Sequence, residues 1–483
     1  MAEEKAGNMM KRHGLVGCGL LGCSFGLLGA GDLQAALGPV FSLDDNPASP
    51  ISSAPGVIAG FGAEDPFGFF LSPGLSPSPT LSGFGPGGDA WLLEPGPNAD
   101  TEPFFDAGTE QRWSYLDAYS NNSAVTDSGS LELSADSTFN LVFSVDRVTT
   151  GLAGDVTIQA NTGEQPADIF VSSKTFVSPA KFAGTLPANA GYVGPLGGAT
   201  SPGLGSNQLL FDEQDDFGLQ EGLGQFEPEA DNIDAFEFRD IDVDGDLITD
   251  STAYHSINPD EALLKQFASG GTRTYTPSDI YVTPAGSNVS FLYAPEQMIF
   301  GAANPPFSGD QGEATGEDID ALVLWDTGED QQVEPGRDFA LFSLAPGSSI
   351  LFLLNALNPG SVGPGDVFFT DFTGSFGLFA RGPELGLSTG FAFEIDNLDA
   401  LEVVLTGDSN LDGRVDLIDL SNLASSFGGP GNWFGGDFNA DGVVDLIDLS
   451  LLAGNFSSQT GAVPEPASAA LLALSLAALG RRR

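Results

Sequence analysis

Residues 342–400, FSLAPGSSILFLLNALNPGSVGPGDVFFTDFTGSFGLFARGPELGLSTGFAFEIDNLDA, carry four short patterns, and their recurrence decides the fold. The patterns are Phe342-Ser343-Leu344, an aromatic run headed by Asp366, the pair Leu378-Phe379, and the triplet Leu398-Asp399-Ala400. Towards the N-terminus the first recurs as His255-Ser256-Ile257, Phe143-Ser144-Val145 and Phe41-Ser42-Leu43. The second recurs at Asp279 in DIYVTP, Asp168 in DIFVSS and Asp65 in DPFGFFLS. The third recurs as Leu292-Tyr293, Leu210-Phe211 and Leu92-Leu93. The fourth recurs as Ile319-Asp320-Ala321, Ile233-Asp234-Ala235 and Leu116-Asp117-Ala118. Each pattern alone is weak. Their common order, with serine-to-aspartate steps of 23, 24, 23 and 23, is the signal.

Each pattern is a short β-branched or aromatic run bounded by Gly, Pro and Asp, which reads as a strand. The chain is therefore expected to be mainly β, with a four-unit repeat domain over 37–403. A four-bladed β-propeller is the first expectation, because radial closure protects strand edges; a β-sandwich with insertions is the alternative. The repeat also assigns roles. His255 fills a slot held by Phe in the other units and is expected to be a substituted packing residue. Asp117, Asp234, Asp320 and Asp399 occur once per unit and are expected to cap turns rather than act in acid–base chemistry.

Beyond the repeat lie two aspartate-rich segments 29 residues apart: DSNLDGRVDLID from Asp408 and DFNADGVVDLID from Asp437. Calcium takes six to eight oxygen ligands, and a 12-residue loop supplies them from positions 1, 3, 5, 7, 9 and 12 around a glycine at position 6. The first segment offers Asp408, Asn410, Asp412, the Arg414 carbonyl, Asp416 and Asp419. The second offers Asp437, Asn439, Asp441, the Val443 carbonyl, Asp445 and Asp448. Gly413 and Gly442 hold position 6. Each loop runs into a helical pattern, with Leu417, Leu420, Ala424 and Phe427 on one predicted apolar face and Leu446, Leu449, Ala453 and Phe456 on the other.

A loop followed by one helix, duplicated over 404–460, resembles a type I dockerin. The resemblance implies calcium binding and a cohesin-like partner. Positions 10 and 11 are Leu417-Ile418 and Leu446-Ile447, where cohesin-binding dockerins often carry hydroxyl residues, so a cellulosome-type partner carries over less safely than the calcium. A third acidic stretch has Asp240, Asp242 and Asp244 at positions 1, 3 and 5, then Gly245 and Asp246, but Ile248 and Ser251 at 9 and 12. It reads as a metal loop or as a solvated turn.

The ends read as addresses. Lys11-Arg12-His13, the apolar stretch 14–31 and the small residues Ala35 and Ala36 have the order of a secretory signal peptide over 1–36; Leu20-Leu21-Gly22-Cys23 offers a lipobox as an alternative. At the other end Ala467 to Gly480 is apolar and precedes three arginines. As a helix it would reach about 21 Å, short of the roughly 30 Å hydrocarbon core, so it is expected to anchor only transiently. Pro464-Glu465-Pro466 before it makes 461–483 resemble the PEP-CTERM sorting signal of exosortase substrates. That resemblance implies export, processing by exosortase, and delivery to the cell surface or extracellular matrix. An ordinary tail anchor is the other reading.

Composition narrows the chemistry. Asp and Glu outnumber Lys and Arg 66 to 16, for a net charge of −50, which excludes a nucleic-acid footprint and suits divalent cations. Hydrophobic residues at 41%, with 37 Phe, exclude wholesale disorder. Cys18, Cys23, His13 and His255 are the only cysteines and histidines. A chain cut after residue 36 would have no disulfide, zinc or thiol chemistry, leaving carboxylates, hydroxyls and oxygen-ligated metals. The resulting expectation is a secreted binding or scaffolding protein, with extracellular polysaccharide a candidate partner. The alternatives are a carbohydrate-active enzyme tethered through its dockerin, using non-repeated carboxylates such as Asp212, Glu213, Asp244 or Asp246, and a purely structural envelope protein.

Overall fold

The structure is a computed structural model. It describes residues 135–146, 149–161, 168–211, 276–283, 291–301, 318–328, 330–357, 362–388 and 396–456, with shorter pieces at 40–43, 67–68, 90–91, 119–121, 233–237 and 252–256. The signal-peptide segment, the sorting tail with Pro464, Glu465 and Pro466, Asp117, the acidic insertion at 212–231 and the Asp240–Asp246 stretch lie outside these residues. No helix among the described residues is long and apolar enough to cross a membrane.

The described chain is mainly β, with the short helices α1 (Asp155–Ala160), α2 (Glu296–Phe300) and α3 (Ser349–Leu357) between strands. Among the described residues four sheets form; three of them take three strands from one stretch of chain and a fourth from elsewhere, and the other takes the consecutive strands at 319–380 and a short strand at 191–192. In the first, β1 (Val40–Leu43), β2 (Phe67–Gly68) and β3 (Ala90–Trp91) are joined by β9 (Ile233–Glu237). In the second, β10 (Ala253–His255), β11 (Ile280–Thr283) and β12 (Phe291–Ala294) are joined by β4 (Tyr119–Asn121). The third has β14 (Phe339–Leu344), β15 (Val367–Thr370) and β16 (Ser375–Ala380), flanked by β13 (Ile319–Trp325) and β7 (Gly191–Tyr192). The fourth has β5 (Thr138–Val145), β6 (Ile169–Val177) and β8 (Asn207–Phe211), joined by β17 (Leu398–Leu405). Apart from the β16–β7 pair the neighbours run antiparallel.

The joining strands β4, β9, β13 and β17 lie against one another in a circuit: β17 touches β13 and β9, and β4 touches the same two. Each joining strand that contains its own triplet breaks register there, between Leu398 and Ala400, between Ile319 and Leu322, and at the Ser42/Leu43 step opposite Ile233 and Ala235. Such a bulge turns one side chain out of the pleat. Asp320 and Asp399 sit at these irregularities and share one donor, since Asn397 Nδ2 gives hydrogen bonds to Asp320 Oδ2 at 2.7 Å and to Asp399 Oδ1 at 2.6 Å.

The recurrent serines and aspartates hold the strands in place. Ser343 Oγ donates to the Leu398 carbonyl at 3.1 Å, and Ser256 Oγ to the Ile319 carbonyl at 3.0 Å, so each fastens the start of a joining strand that pairs in the neighbouring sheet. Asp366 accepts from Gly363 N at 2.9 Å and Gly382 N at 2.7 Å. Asp279 does the same with Thr276 N and Glu296 N, both at 3.0 Å. Each therefore staples the turn before its strand to the turn that follows the next one. Burial pushes Asp279 above the ordinary carboxylate range despite these donors. His255 is fully buried with its ring stacked on Tyr281, 5.7 Å between centroids.

Two apolar layers flank the third sheet. Trp325, Leu341 and Phe369 face the layer shared with β5, β6 and β17, whereas Leu324, Phe342 and Phe368 face the layer shared with β10 and β11. Every residue of β14 is buried, as a strand covered on both faces requires. The first layer continues without a break into Leu411, Val415, Leu423, Trp433, Phe438, Val444 and Leu452. The segment after β17 is thus packed on the β portion.

Candidate metal centre

The two aspartate-rich loops share one pattern of backbone-to-carboxylate hydrogen bonds. In the first, Asp408 Oδ1 accepts from Asp412 N at 3.2 Å and Oδ2 from Gly413 N at 2.7 Å. In the second, Asp437 Oδ1 accepts from Asp441 N at 3.2 Å and Oδ2 from Gly442 N at 2.7 Å. Asp412 Oδ1 takes the Arg414 N–H at 3.0 Å, and Asp441 Oδ1 takes that of Val443 at 2.9 Å. The glycines at position 6 have φ of 77° and 83°, as a tight left-handed turn requires. Position 4 also lies in the left-handed region, at Leu411 (60°) and Ala440 (52°), a strain the sequence did not announce.

Positions 9 and 12 serve the helices as well. Asp416 is the N-cap of α4 (Leu417–Ser426) and accepts from Ile418 N at 2.7 Å; Asp419 Oδ2 accepts from Asp416 N at 2.8 Å. Asp445 and Asp448 repeat this at α5 (Leu446–Asn455), with the same distances. These are reciprocal capping boxes, and carboxylates are favoured at helix N-termini. The second oxygen of each position-12 side chain reaches back to loop position 2: Asp419 Oδ1 accepts from Ser409 N at 2.8 Å and Asp448 Oδ1 from Phe438 N at 2.9 Å.

Capping fixes how each helix is turned: of the predicted apolar faces Leu420 and Leu449 are half-buried against the core, and the other predicted positions are turned away from it. Asp419 and Leu423 are buried on α4, and Asp448, Leu452 and Asn455 on α5. Leu417 and Leu446 are each 71% exposed, with Phe427, Phe456, Ala424 and Ala453 also outward. The face is set by the carboxylate that must return to its loop, and Leu423 and Leu452 follow four residues on. Sequence reasoning followed the run of apolar residues and missed Leu423, Leu452, Asn455 and Trp433. Trp433 is buried and donates Nε1 to the Asp408 carbonyl at 2.7 Å, tying the linker between the loops to position 1 of the first.

The donor set is all oxygen, which suits a hard cation such as calcium. Burial pushes Asp412, Asp419, Asp437 and Asp448 above the ordinary carboxylate range, and neighbouring carboxylates add to it: Asp416 for Asp412, Asp412 for Asp419, Asp448 and Asp441 for Asp437, and Asp441 for Asp448. Bound positive charge would relieve that crowding. Many of these oxygens accept from backbone N–H groups of their own loops. Among the described residues no three carboxylates or imidazoles converge as a metal-holding group. Asn410 and Asn439 turn their amide Nδ2 towards Asp412 and Asp441, at 2.8 and 3.0 Å. Exchange of amide O and N at these two positions would present the oxygen that position 3 contributes.

No known family, curated protein or solved structure matches this chain. The dockerin and PEP-CTERM resemblances therefore rest on the quoted residues alone.

Proposed function

We propose that this protein is a secreted, exosortase-sorted component of the cell surface or extracellular matrix that holds calcium in two loops and acts as a binding or scaffolding protein. The observation that carries the reading is the duplication of the loops: twelve oxygen-donor positions in matching order, folded with matching hydrogen bonds. Asp408, Asn410, Asp412, the Arg414 carbonyl, Asp416 and Asp419 would hold one ion. Asp437, Asn439, Asp441, the Val443 carbonyl, Asp445 and Asp448 would hold the other. Bound calcium would supply positive charge at the crowded carboxylates. Asp408 and Asp437 order each turn through its glycine, and Asp416, Asp419, Asp445 and Asp448 pass that order to the helices.

The β portion, in the same reading, is a four-bladed propeller-like ring. The circuit of β4, β9, β13 and β17 supports it as an innermost layer, with the remaining strands of each sheet outside. The acidic surface and the sorting motif favour a partner outside the cell, and an extracellular polysaccharide or a cohesin-like module fits that setting.

Equilibrium dialysis of the full chain, stripped by chelator and returned to calcium, tests the reading. The expected result is two ions per chain, falling to none when Asp412→Ala and Asp441→Ala are combined. A wild-type chain that retains no calcium at millimolar supply refutes it. Replacing Pro464, Glu465 and Pro466 by alanine is expected to abolish surface delivery while leaving calcium binding intact, measured by cell fractionation.

A further inference from the structure

The two-loop segment ends against the strands from which it departs. Only Thr406 and Gly407 separate β17 from Asp408. Asn455, the last residue of α5, is 1% exposed and returns to the place where β17 meets β5. Its Nδ2 donates to the Thr138 carbonyl and the Thr406 carbonyl, both at 2.7 Å, and to Thr138 Oγ1 at 3.1 Å; its Oδ1 accepts from Thr138 N at 3.1 Å. One side chain thus bridges the first residue of β5, which lies 317 positions before it in sequence, and the residue just after β17. Beneath it, Thr406 Oγ1 donates to Asn140 Oδ1 at 2.7 Å, and Asn140 Nδ2 donates to the Ser172 carbonyl at 2.8 Å, which carries the connection to β6.

Packing reinforces the bridge. Gly407 has φ of 104°, and a Cβ placed on it would lie 2.8 Å from Leu452 Cα, so the turn after β17 passes directly under α5. Phe434, between the loops, meets Phe211 at the end of β8 edge to face, with centroids 5.7 Å apart. Leu452, Val444 and Phe438 share the apolar layer of β5 and β17. A flexible tether carrying a separate binding module would need none of these contacts.

We infer that the two-loop segment is a clasp on the β5–β17 seam: by bridging Thr138 and Thr406 through Asn455, it makes calcium held in the loops slow the opening of the β portion. The inference rests on the calcium reading above. The seam joins the first strand of the fourth sheet to the last described strand of the β portion. Asp448 orders the N-terminus of α5, and α5 delivers Asn455 to the seam, so ligand order at the second loop is transmitted along a single helix.

Hydrogen exchange of the full chain, read by peptide mass spectrometry with calcium and with chelator and paired with equilibrium dialysis, tests the clasp. With free calcium about 100 times the dissociation constant, one linked site slows opening by about a hundredfold. Peptides covering β5 and β17 are expected to share that slowing with the loops. Asn455→Ala is expected to bind two ions while its β5 and β17 peptides lose most of their calcium dependence. Should that variant not fold, the combined Asp412→Ala and Asp441→Ala chain keeps every seam contact; in calcium its β5 and β17 peptides are expected to exchange as the wild type does in chelator. Wild-type protein that binds two ions yet shows the same β5 and β17 exchange with and without calcium overturns the clasp and leaves the calcium reading standing. Protein that binds no calcium overturns both.

Discussion

Asp366→Asn measures how far burial outweighs hydrogen bonding at the head of β15. The carboxylate is 1% exposed and takes two backbone N–H groups, from Gly363 and Gly382. Burial pushes it from the ordinary 3.8 to about 6, against those two donors and the Arg381 charge, with Glu384 adding to the rise. At about 1.4 kcal/mol per tenfold change, the full interval is worth about 3 kcal/mol. A carboxyl that holds its proton more tightly when folded stabilises the fold fully below about 3.8 and loses that contribution as the pH rises through about 6. Of the total, about 1.4 kcal/mol falls between pH 5 and pH 8, and titration of the other carboxylates is common to both chains and cancels in the comparison. Asparagine keeps the shape and one acceptor but cannot titrate. Urea unfolding of both chains at pH 5 and pH 8, with saturating calcium and constant ionic strength, gives the difference of differences. The stability of the wild type relative to Asp366→Asn is expected to fall by about 1.4 kcal/mol between the two pH values. A relative stability constant to within about 0.4 kcal/mol would show that the two N–H donors, not desolvation, govern this carboxylate.

Two further pairs of variants separate local from tertiary causes. Leu452→Ala, which empties a buried site, is expected to cost about 2–5 kcal/mol in urea unfolding, whereas Leu446→Ala on the same helix, 71% exposed, should change stability by less than about 0.5 kcal/mol; equal costs would restore the helix face predicted from sequence. Gly442→Ala meets open space, so only its φ of 83° opposes the substitution, at about 1 kcal/mol. Gly407→Ala adds overlap with the α5 backbone to a φ of 104° and should lower the melting temperature well beyond Gly442→Ala; a smaller effect at Gly407 would mean that α5 does not press on this turn.

Much of the strand layout was legible because short recurrent patterns need only local chemistry to be read. Phe342-Ser343-Leu344 closes β14, the run after Asp366 forms β15, Leu378-Phe379 lies in β16 and Leu398-Asp399-Ala400 opens β17. What could not be read is which strand each triplet joins. Pairing of β17 with β5 and of β13 with β14 involves hydrogen bonds between backbones, and these carry no sequence label. Asp366 and Asp279 were visible only as markers of a strand; their role as staples depends on Gly382 and Glu296, which reach them through the fold.

At the loops the sequence by itself determined the donor set, its order, the glycine at position 6 and the presence of a helix after each turn, because all of these are set within twelve consecutive residues. Tertiary structure decided the rest. Helix rotation follows from the return of Asp419 and Asp448 to their loops, which hides Leu423 and Leu452 and leaves Leu417 and Leu446 in solvent. The attachment of the segment to the β portion follows from Asn455, an unremarkable polar residue in the sequence, which becomes the bridge between Thr138 and Thr406 only because folding brings the two strand ends within reach of one amide.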